Sequence, residues 1–215
     1  MYTLNENLNM VYMDVSINLK KMKMIKNLLI MLLFFIINFS FGQGFNEAKK
    51  SAEQGDADAQ YSLGVMYSSG EGTSTDQKQA FYWYKKSAEQ GNAEAQYDLG
   101  IRYFFGQGTL RDKKQAFYWY KKSAEQGFAE AQYNLGFAYS FGKGTLTDKK
   151  QAFYWYEKSA EQGDADAQYN LGVMYSSGEG TLPDKKQAAF WIRKSYDNGF
   201  EEAKKFWEDE ELYKY

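Results

Sequence analysis

Apolar and polar positions along most of this chain recur at a short helical spacing. Between Asp56 and Gly70, the apolar residues Ala59, Leu63 and Met66 follow one another at steps of three and four. This spacing is typical of an amphipathic helix with one buried face. The stretch from Asp76 to Gly91 has the same period. The pattern therefore predicts two helices joined by a glycine-rich loop.

A second, longer spacing of 36 residues repeats this helix pair four times. Its clearest markers are a Leu-Gly step in the first helix and a tryptophan in the second helix. The leucines are Leu63, Leu99, Leu135 and Leu171, and the tryptophans are Trp83, Trp119, Trp155 and Trp191. A period of this length indicates a unit that buries its apolar face by stacking on copies of itself.

Residues at the helix ends and inside the helices predict how each unit is built. Asp76 precedes the second helix and Gln79 follows three residues later, an arrangement that predicts a capping box. Gly91 and its counterparts follow the second helix, where a left-handed backbone favours glycine. Gly64 lies inside the first helix, so we expect a Trp or Tyr ring of the partner helix to pack against it. We expect the ring of Trp83 to pack against the next unit.

The repeated text AEAQYNLGxxYxxGxGTxxDxKQAxxWYxKSAEQG closely resembles the Sel-one-like repeat, a relative of the tetratricopeptide repeat with a longer loop between its helices. The resemblance covers about residues 45–199. It implies an all-α fold, a right-handed superhelical solenoid of helix-turn-helix repeats. It also implies an adaptor that holds other proteins in assemblies. We accordingly expect a protein or peptide partner on the concave face that the first helices line in related superhelices.

The repeat divides the chain into four parts. Residues 1–42 are predicted to be an export signal, residues 43–55 an N-terminal capping helix, residues 56–199 four repeats, and residues 200–215 a C-terminal capping helix. Terminal units of a solenoid need such caps because their outer faces meet solvent. Residues 1–19 show no convincing period.

The export signal is predicted from its layout. Four lysines precede an apolar run from Leu28 to Ile37, and small residues Ser40 and Gly42 precede a cut before Gln43. In this interpretation, translation starts at Met22 or Met24. Cleavage of the signal then gives a periplasmic or secreted protein. The alternative is an uncleaved signal that tethers the adaptor to a membrane, although the run is shorter than the roughly 20 residues of a spanning helix.

Composition excludes several classes of function. The formal net charge is -2, so there is no basic excess with which to bind nucleic acid. The chain has no histidine and no cysteine. It therefore lacks the commonest general base, the usual zinc ligands, thiol nucleophiles and disulfides. We expect no cofactor, no metal and no enzymatic activity.

One short sequence motif supports an alternative function, that of an enzyme. Ser140 to Lys143 spells SxxK, the serine–lysine pattern of penicillin-recognising enzymes, but no SDN or KTG string accompanies it. Cysteine-rich exported members of the Sel-one-like repeat family, which this sequence resembles, have been linked to β-lactam binding or hydrolysis. An envelope hydrolase is therefore the rival function, although the absence of cysteine departs from those members.

Differences between the copies predict the binding site. The first and fourth copies are almost identical, whereas the second and third copies are richer in aromatic residues and less acidic on the first helix and its loop. Aromatic residues and arginine dominate binding hot spots. The predicted partner-binding residues are Arg102, Phe104, Phe105, Phe128, Phe141 and Lys143. In the alternative interpretation, some of these phenylalanines fill gaps between repeats.

Overall fold

The computed structural model describes residues 22–32 and 43–215, and every regular element in these ranges is a helix. Residues 22–32 are helical and exposed, and helix α1 covers residues 43–53. The helices that follow are α2 Ala57–Ser69, α3 Gln77–Glu89, α4 Ala93–Phe105, α5 Lys113–Glu125, α6 Ala129–Phe141, α7 Lys149–Glu161, α8 Ala165–Ser177, α9 Lys185–Asp197 and α10 Glu202–Asp209, with a 3₁₀ turn at Leu212–Lys214.

Helices α2 to α9 form four hairpins of two 13-residue helices each. We call these hairpins repeats one to four. The extensive contacts between helices join neighbours in the sequence, first within a repeat and then to the next repeat. Such nearest-neighbour packing defines a helical repeat solenoid. The predicted all-α repeat fold is confirmed.

The start of each second helix is fixed by an aspartate. Asp76 Oδ1 accepts hydrogen bonds from the backbone N–H groups of Lys78 and Gln79, at 2.9 and 3.0 Å. The reciprocal half of the predicted capping box is replaced by a different bond, because the N–H of Asp76 donates to the carbonyl of Tyr67 at 2.8 Å. This bond ties the start of α3 to the end of α2.

The glycine inside each first helix receives a side chain of the second helix. A β-carbon on Gly64 would lie 2.9 Å from Cδ1 of Tyr84, and the same contact occurs in repeats two and three. Close packing of a ring against glycine, as predicted, therefore explains three of the four positions. In repeat four the neighbour of Gly172 is the aliphatic Ile192, so the prediction of a ring is wrong there.

The tryptophans pack against the preceding unit, so the prediction that they face the next unit is wrong. Trp83 shares a core cluster with Ala52 of α1 and Leu63 of α2. Trp119 of repeat two packs in a cluster with Ala80 and other residues of α3 in repeat one. The second helix of repeats one, two and three is thus covered by the tryptophan of the repeat that follows it.

Buried polar side chains fix the register between helices. Ser87 Oγ donates to the carbonyl of Ala57 at 2.7 Å, within repeat one. Gln60 Nε2 donates to the carbonyl of Ala52 at 3.0 Å, across the boundary with the preceding helix. Equivalent bonds recur in the other repeats. Because each bond satisfies a buried polar group, a shift of one helix along another leaves that group unpaired.

The two ends of the stack have their own contacts. Ala52 of α1 is buried against repeat one, and Ala203 and Leu212 are buried against α9. No helix in the described ranges is both long and apolar enough to cross a membrane. The predicted cleavage residues Ser40 and Gly42, and the apolar run beyond residue 32, lie outside the described residues.

Candidate functional site

A groove lies between repeats two and three, with a cavity of about 320 Å³. Helices α4, α5 and α6 and the loop after α6 supply its walls. We call it the central groove. Most of its lining residues are aromatic or aliphatic, and one is charged. The lining residues are Tyr97, Ile101, Phe104, Phe105, Tyr120, Tyr133, Asn134, Phe137, Ala138 and Lys143.

The central groove is open because Ala138 is small. The residues at the equivalent positions of repeats two and four, 36 residues away on either side, are Arg102 and Met174. Both are long side chains and both are buried, with 7% and 5% of their surface exposed. Ala138 is buried as well but reaches no further than its β-carbon. The groove is therefore the space that a longer side chain occupies at the neighbouring boundaries.

Arg102 shows how the boundary between repeats one and two is closed. Its Nη2 donates to Ser68 Oγ at 2.6 Å, and its Nη1 donates to Gln107 at 3.0 Å and also to Gln77. The guanidinium carbon lies 5.2 Å from the centroid of the Tyr84 ring. Arg102 thus fills, between repeats one and two, the space that remains open as the central groove between repeats two and three.

Three tyrosines line the central groove, and each has a raised pKa. Burial is the main cause of the rise in pKa for Tyr97, Tyr120 and Tyr133. The charges of Asp98 and Glu130 raise the pKa of Tyr97 further. These phenols stay protonated at neutral pH, so they can donate hydrogen bonds. The groove therefore suits an apolar group that carries hydrogen-bond acceptors.

Three of the six predicted binding residues line the central groove: Phe104, Phe105 and Lys143. Phe128 and Phe141 are beside it, each packed at a tilted angle against a lining residue. The ring centroid of Phe128 lies 5.2 Å from that of Tyr97, and the ring centroid of Phe141 lies 4.8 Å from that of Phe137. Phe105 and Phe141 remain largely exposed, at 62% and 56%.

Arg102 is not brought into the central groove. Its bonds to Ser68 and Gln77 place it at the boundary between repeats one and two, where it is buried. Its contacts hold two repeats together.

Several lining residues are absent from the predicted set. Tyr97 and Tyr133 have a tyrosine counterpart in every repeat, and Tyr120 has one in repeats one and three, so a comparison between the first three copies gives no signal for them. Ile101 and Phe137 do differ between copies, and Ala138 is the smallest residue of its equivalent set. The open boundary can be found from the sequence by comparing the residues equivalent to Arg102 and Met174 in each repeat, because Ala138 is the small one.

The serine–lysine string is not assembled as a pair. Ser140 Oγ accepts a hydrogen bond from Lys149 Nζ at 3.3 Å, whereas Lys143 lines the central groove. Within residues 22–32 and 43–215, no group of three or more acidic residues is arranged to hold a metal ion.

Comparison with known proteins agrees with the repeat architecture. The family model for the Sel1 repeat matches residues 57–92, 93–128, 129–164 and 165–200. No curated protein matches the sequence.

Solved structures of other proteins share the fold, and two of them serve as examples. One is a protective antigen present in uropathogenic Escherichia coli strains, which is 39% identical with a TM-score of 0.71 over 74% of this chain and 34% of the antigen. The other is a Sel1 repeat protein from Oxalobacter formigenes, which is 34% identical with a TM-score of 0.69 over 76% of this chain and 72% of that protein. The chain thus matches about a third of the length of the antigen.

The four family matches cover the repeats that build both walls of the central groove, and the fold is typical of protein-interaction modules. The chain belongs to the Sel1 repeat family.

Proposed function

We propose that this protein is an exported, non-enzymatic scaffold that binds a protein or peptide partner in the central groove. The observation that carries the proposal is the open boundary at Ala138, where aromatic side chains surround a cavity of about 320 Å³. Binding sites are typically concave and apolar, with a few polar groups that set orientation. The central groove has this composition.

The size of the cavity indicates what it holds. Ligand pockets begin at roughly 300 Å³, so the cavity suits one or two side chains of a partner. Phe105 and Phe141 are exposed beside it and add apolar contact area around the inserted group. Large apolar side chains that enter a pocket are the usual energetic centre of an interface.

Replacement of Ala138 by methionine tests the site. Methionine is the residue at the equivalent position of repeat four, where it is buried. We expect Ala138→Met to fill the groove while the melting temperature stays close to that of the native protein. Affinity purification from an envelope extract, followed by mass spectrometry, then compares the two proteins. A partner recovered with the native protein and lost with the variant supports the proposal.

Two outcomes contradict the binding site. One is recovery of the same proteins with native protein and variant in equal amounts. The other is recovery of no protein by either. A substitution outside the groove, Glu89→Gln on an exposed ion pair with Lys85, serves as the control and is expected to leave recovery unchanged.

Export is the second part of the proposal, and it is supported by the sequence pattern of residues 1–42. We expect the mature protein in the envelope or the medium to begin at Gln43. N-terminal sequencing of the native protein measures this directly. A protein that keeps the apolar run is instead a membrane-tethered adaptor.

A further inference from the structure

The first residue of each second helix lies at the boundary with the next unit. These residues are Gln77, Lys113, Lys149 and Lys185. At three of the four boundaries the next unit supplies a polar partner. Gln77 accepts a hydrogen bond from Arg102, Lys149 forms an ion pair with Glu179 at 2.8 Å, and Lys185 forms one with Glu210 at 2.6 Å.

Lys113 is the exception, because repeat three offers it no acid. The loop residue equivalent to Glu179 is Lys143. This loop lies directly on the start of α5, since a β-carbon on Gly144 would be 1.9 Å from the carbonyl oxygen of Lys113. The residue equivalent to Arg102 and Glu210 is Ala138, which is too short to reach.

The two lysines therefore occupy the positions that Lys149 and Glu179 occupy at the next boundary, so two cations replace the lysine and glutamate that form an ion pair there. Both are partly buried, and Lys143 is the charged residue of its lining. In the part of the chain that the structure describes, no ion pair or side-chain hydrogen bond involves Nζ of either lysine. Like charges at short range repel, so this arrangement favours an anion between them.

The last boundary shows which anion this surface accepts. Glu210 directly follows α10, outside the four repeats, and its Oε2 accepts hydrogen bonds from Lys185 Nζ at 2.6 Å and Ser176 Oγ at 3.1 Å. The position equivalent to Ser176 in repeat two is Phe104, which lines the groove. A carboxylate on Lys113 would thus lie next to an apolar wall.

We propose, as a refinement of the proposed function on which it rests, that the central groove binds a protein segment with an aspartate or glutamate close to a large apolar side chain. The carboxylate binds between Lys113 and Lys143, and the apolar side chain enters the space beside Ala138. One further cation favours the same occupant, since the guanidinium of Arg111 lies 5.8 Å from the ring centroid of Phe104 in the groove lining.

A phage-displayed library of random heptapeptides, selected on the mature protein, tests the proposal. We expect the enriched peptides to combine an acidic residue with an aromatic or large aliphatic residue. Anisotropy measurements with a fluorescein-labelled form of the most enriched peptide then give the affinity. Replacement of its acidic residue by the matching amide is expected to weaken binding about tenfold, the equivalent of about 1.4 kcal/mol.

Two variants of the protein separate the charge from the cavity. Lys143→Glu recreates the Lys149–Glu179 pair at the central boundary, so it should keep the melting temperature and weaken binding of the acidic peptide about tenfold or more. Lys113→Gln removes one charge and should have a smaller effect in the same direction. Ala138→Met should abolish binding of every enriched peptide. Circular dichroism melts confirm that each variant is folded.

The outcomes distinguish the two proposals. Enriched peptides without acids, whose binding is lost in Ala138→Met but unchanged in Lys143→Glu, overturn the acidic recognition and leave the groove as the binding site. Absence of enrichment, or binding that Ala138→Met leaves unchanged, overturns both.

Discussion

The contact between Gly136 and Tyr156 provides the sharpest test of how the repeats are held together. A β-carbon on Gly136 would lie 2.8 Å from Cδ1, 3.0 Å from Cε1 and 3.1 Å from Cγ of the Tyr156 ring. These three atoms belong to one edge of a ring that is only 2% exposed. The ring cannot move away without disturbing its own packing. We therefore expect Gly136→Ala to destabilise the fold, although alanine is the better helix former.

The magnitude follows from two opposing effects. Overpacking of a core costs about 1–3 kcal/mol. The gain in helix propensity from glycine to alanine is about 1 kcal/mol. The net loss is about 1 kcal/mol, which lowers the melting temperature of a chain of this size by roughly 2–4 °C. Gly136→Leu adds more atoms against the same ring and is expected to lower it further.

Thermal unfolding followed by circular dichroism measures this effect, and the chain offers a matched control. Gly44 also lies in a helix, but no heavy atom lies within 4 Å of its added β-carbon. Gly44→Ala should therefore leave the melting temperature unchanged or raise it slightly. In a Tyr156→Ala background, Gly136→Ala should become stabilising because the obstructing ring is gone. A melting temperature of Gly136→Ala equal to that of the native protein refutes the packing explanation.

Three further predictions concern buried groups. Burial raises the pKa of Asp98 above its unfolded-state value, so the ionised carboxylate weakens the fold at neutral pH; Asp98→Asn should raise the melting temperature at pH 7, and this gain should vanish below about pH 3.9. Arg102→Met, which places there the residue of positions 66 and 174, should lower stability in urea, because Gln77 and Ser68 lose the hydrogen bonds that join repeats one and two and Asp98 loses the cation that lowers its pKa; an unchanged stability contradicts this. Since Nε1 of Trp119 has no hydrogen-bond partner, Trp119→Phe should cost far less than the roughly 3–5 kcal/mol of Trp119→Ala in guanidinium unfolding.

The architecture was predictable because the sequence contains four copies of the same 36-residue repeat. The Leu-Gly step at Leu63 and the aspartate at Asp76 lie at the same places in each copy and have the same structural role. Properties that depend on the neighbouring unit were harder to predict. The direction in which Trp83 faces is one example, because a periodic pattern identifies a buried position without stating which neighbour covers it.

The candidate site was predicted in part, for a physical reason. Phe104, Phe105 and Lys143 differ from their counterparts in other copies, and the structure brings them to one groove. Arg102 differs as well, but its length allows it to reach Ser68 in the preceding repeat. The decisive residue is Ala138, whose contribution is the space left by missing atoms. A comparison of the repeat copies by residue type draws attention to large side chains that one copy gains. It overlooks positions such as 138, where a copy has a smaller side chain than its counterparts.

The nearest-neighbour packing of the helices has a consequence for how recognition can change. Both walls of the central groove come from two adjoining hairpins, and no other residue that the structure describes contributes to its lining. Exchange of a single side chain at position 138 can therefore open or close the central groove without disturbing the other repeats. Insertion of another 36-residue repeat beyond this pair would lengthen the solenoid and leave the lining of the central groove unchanged.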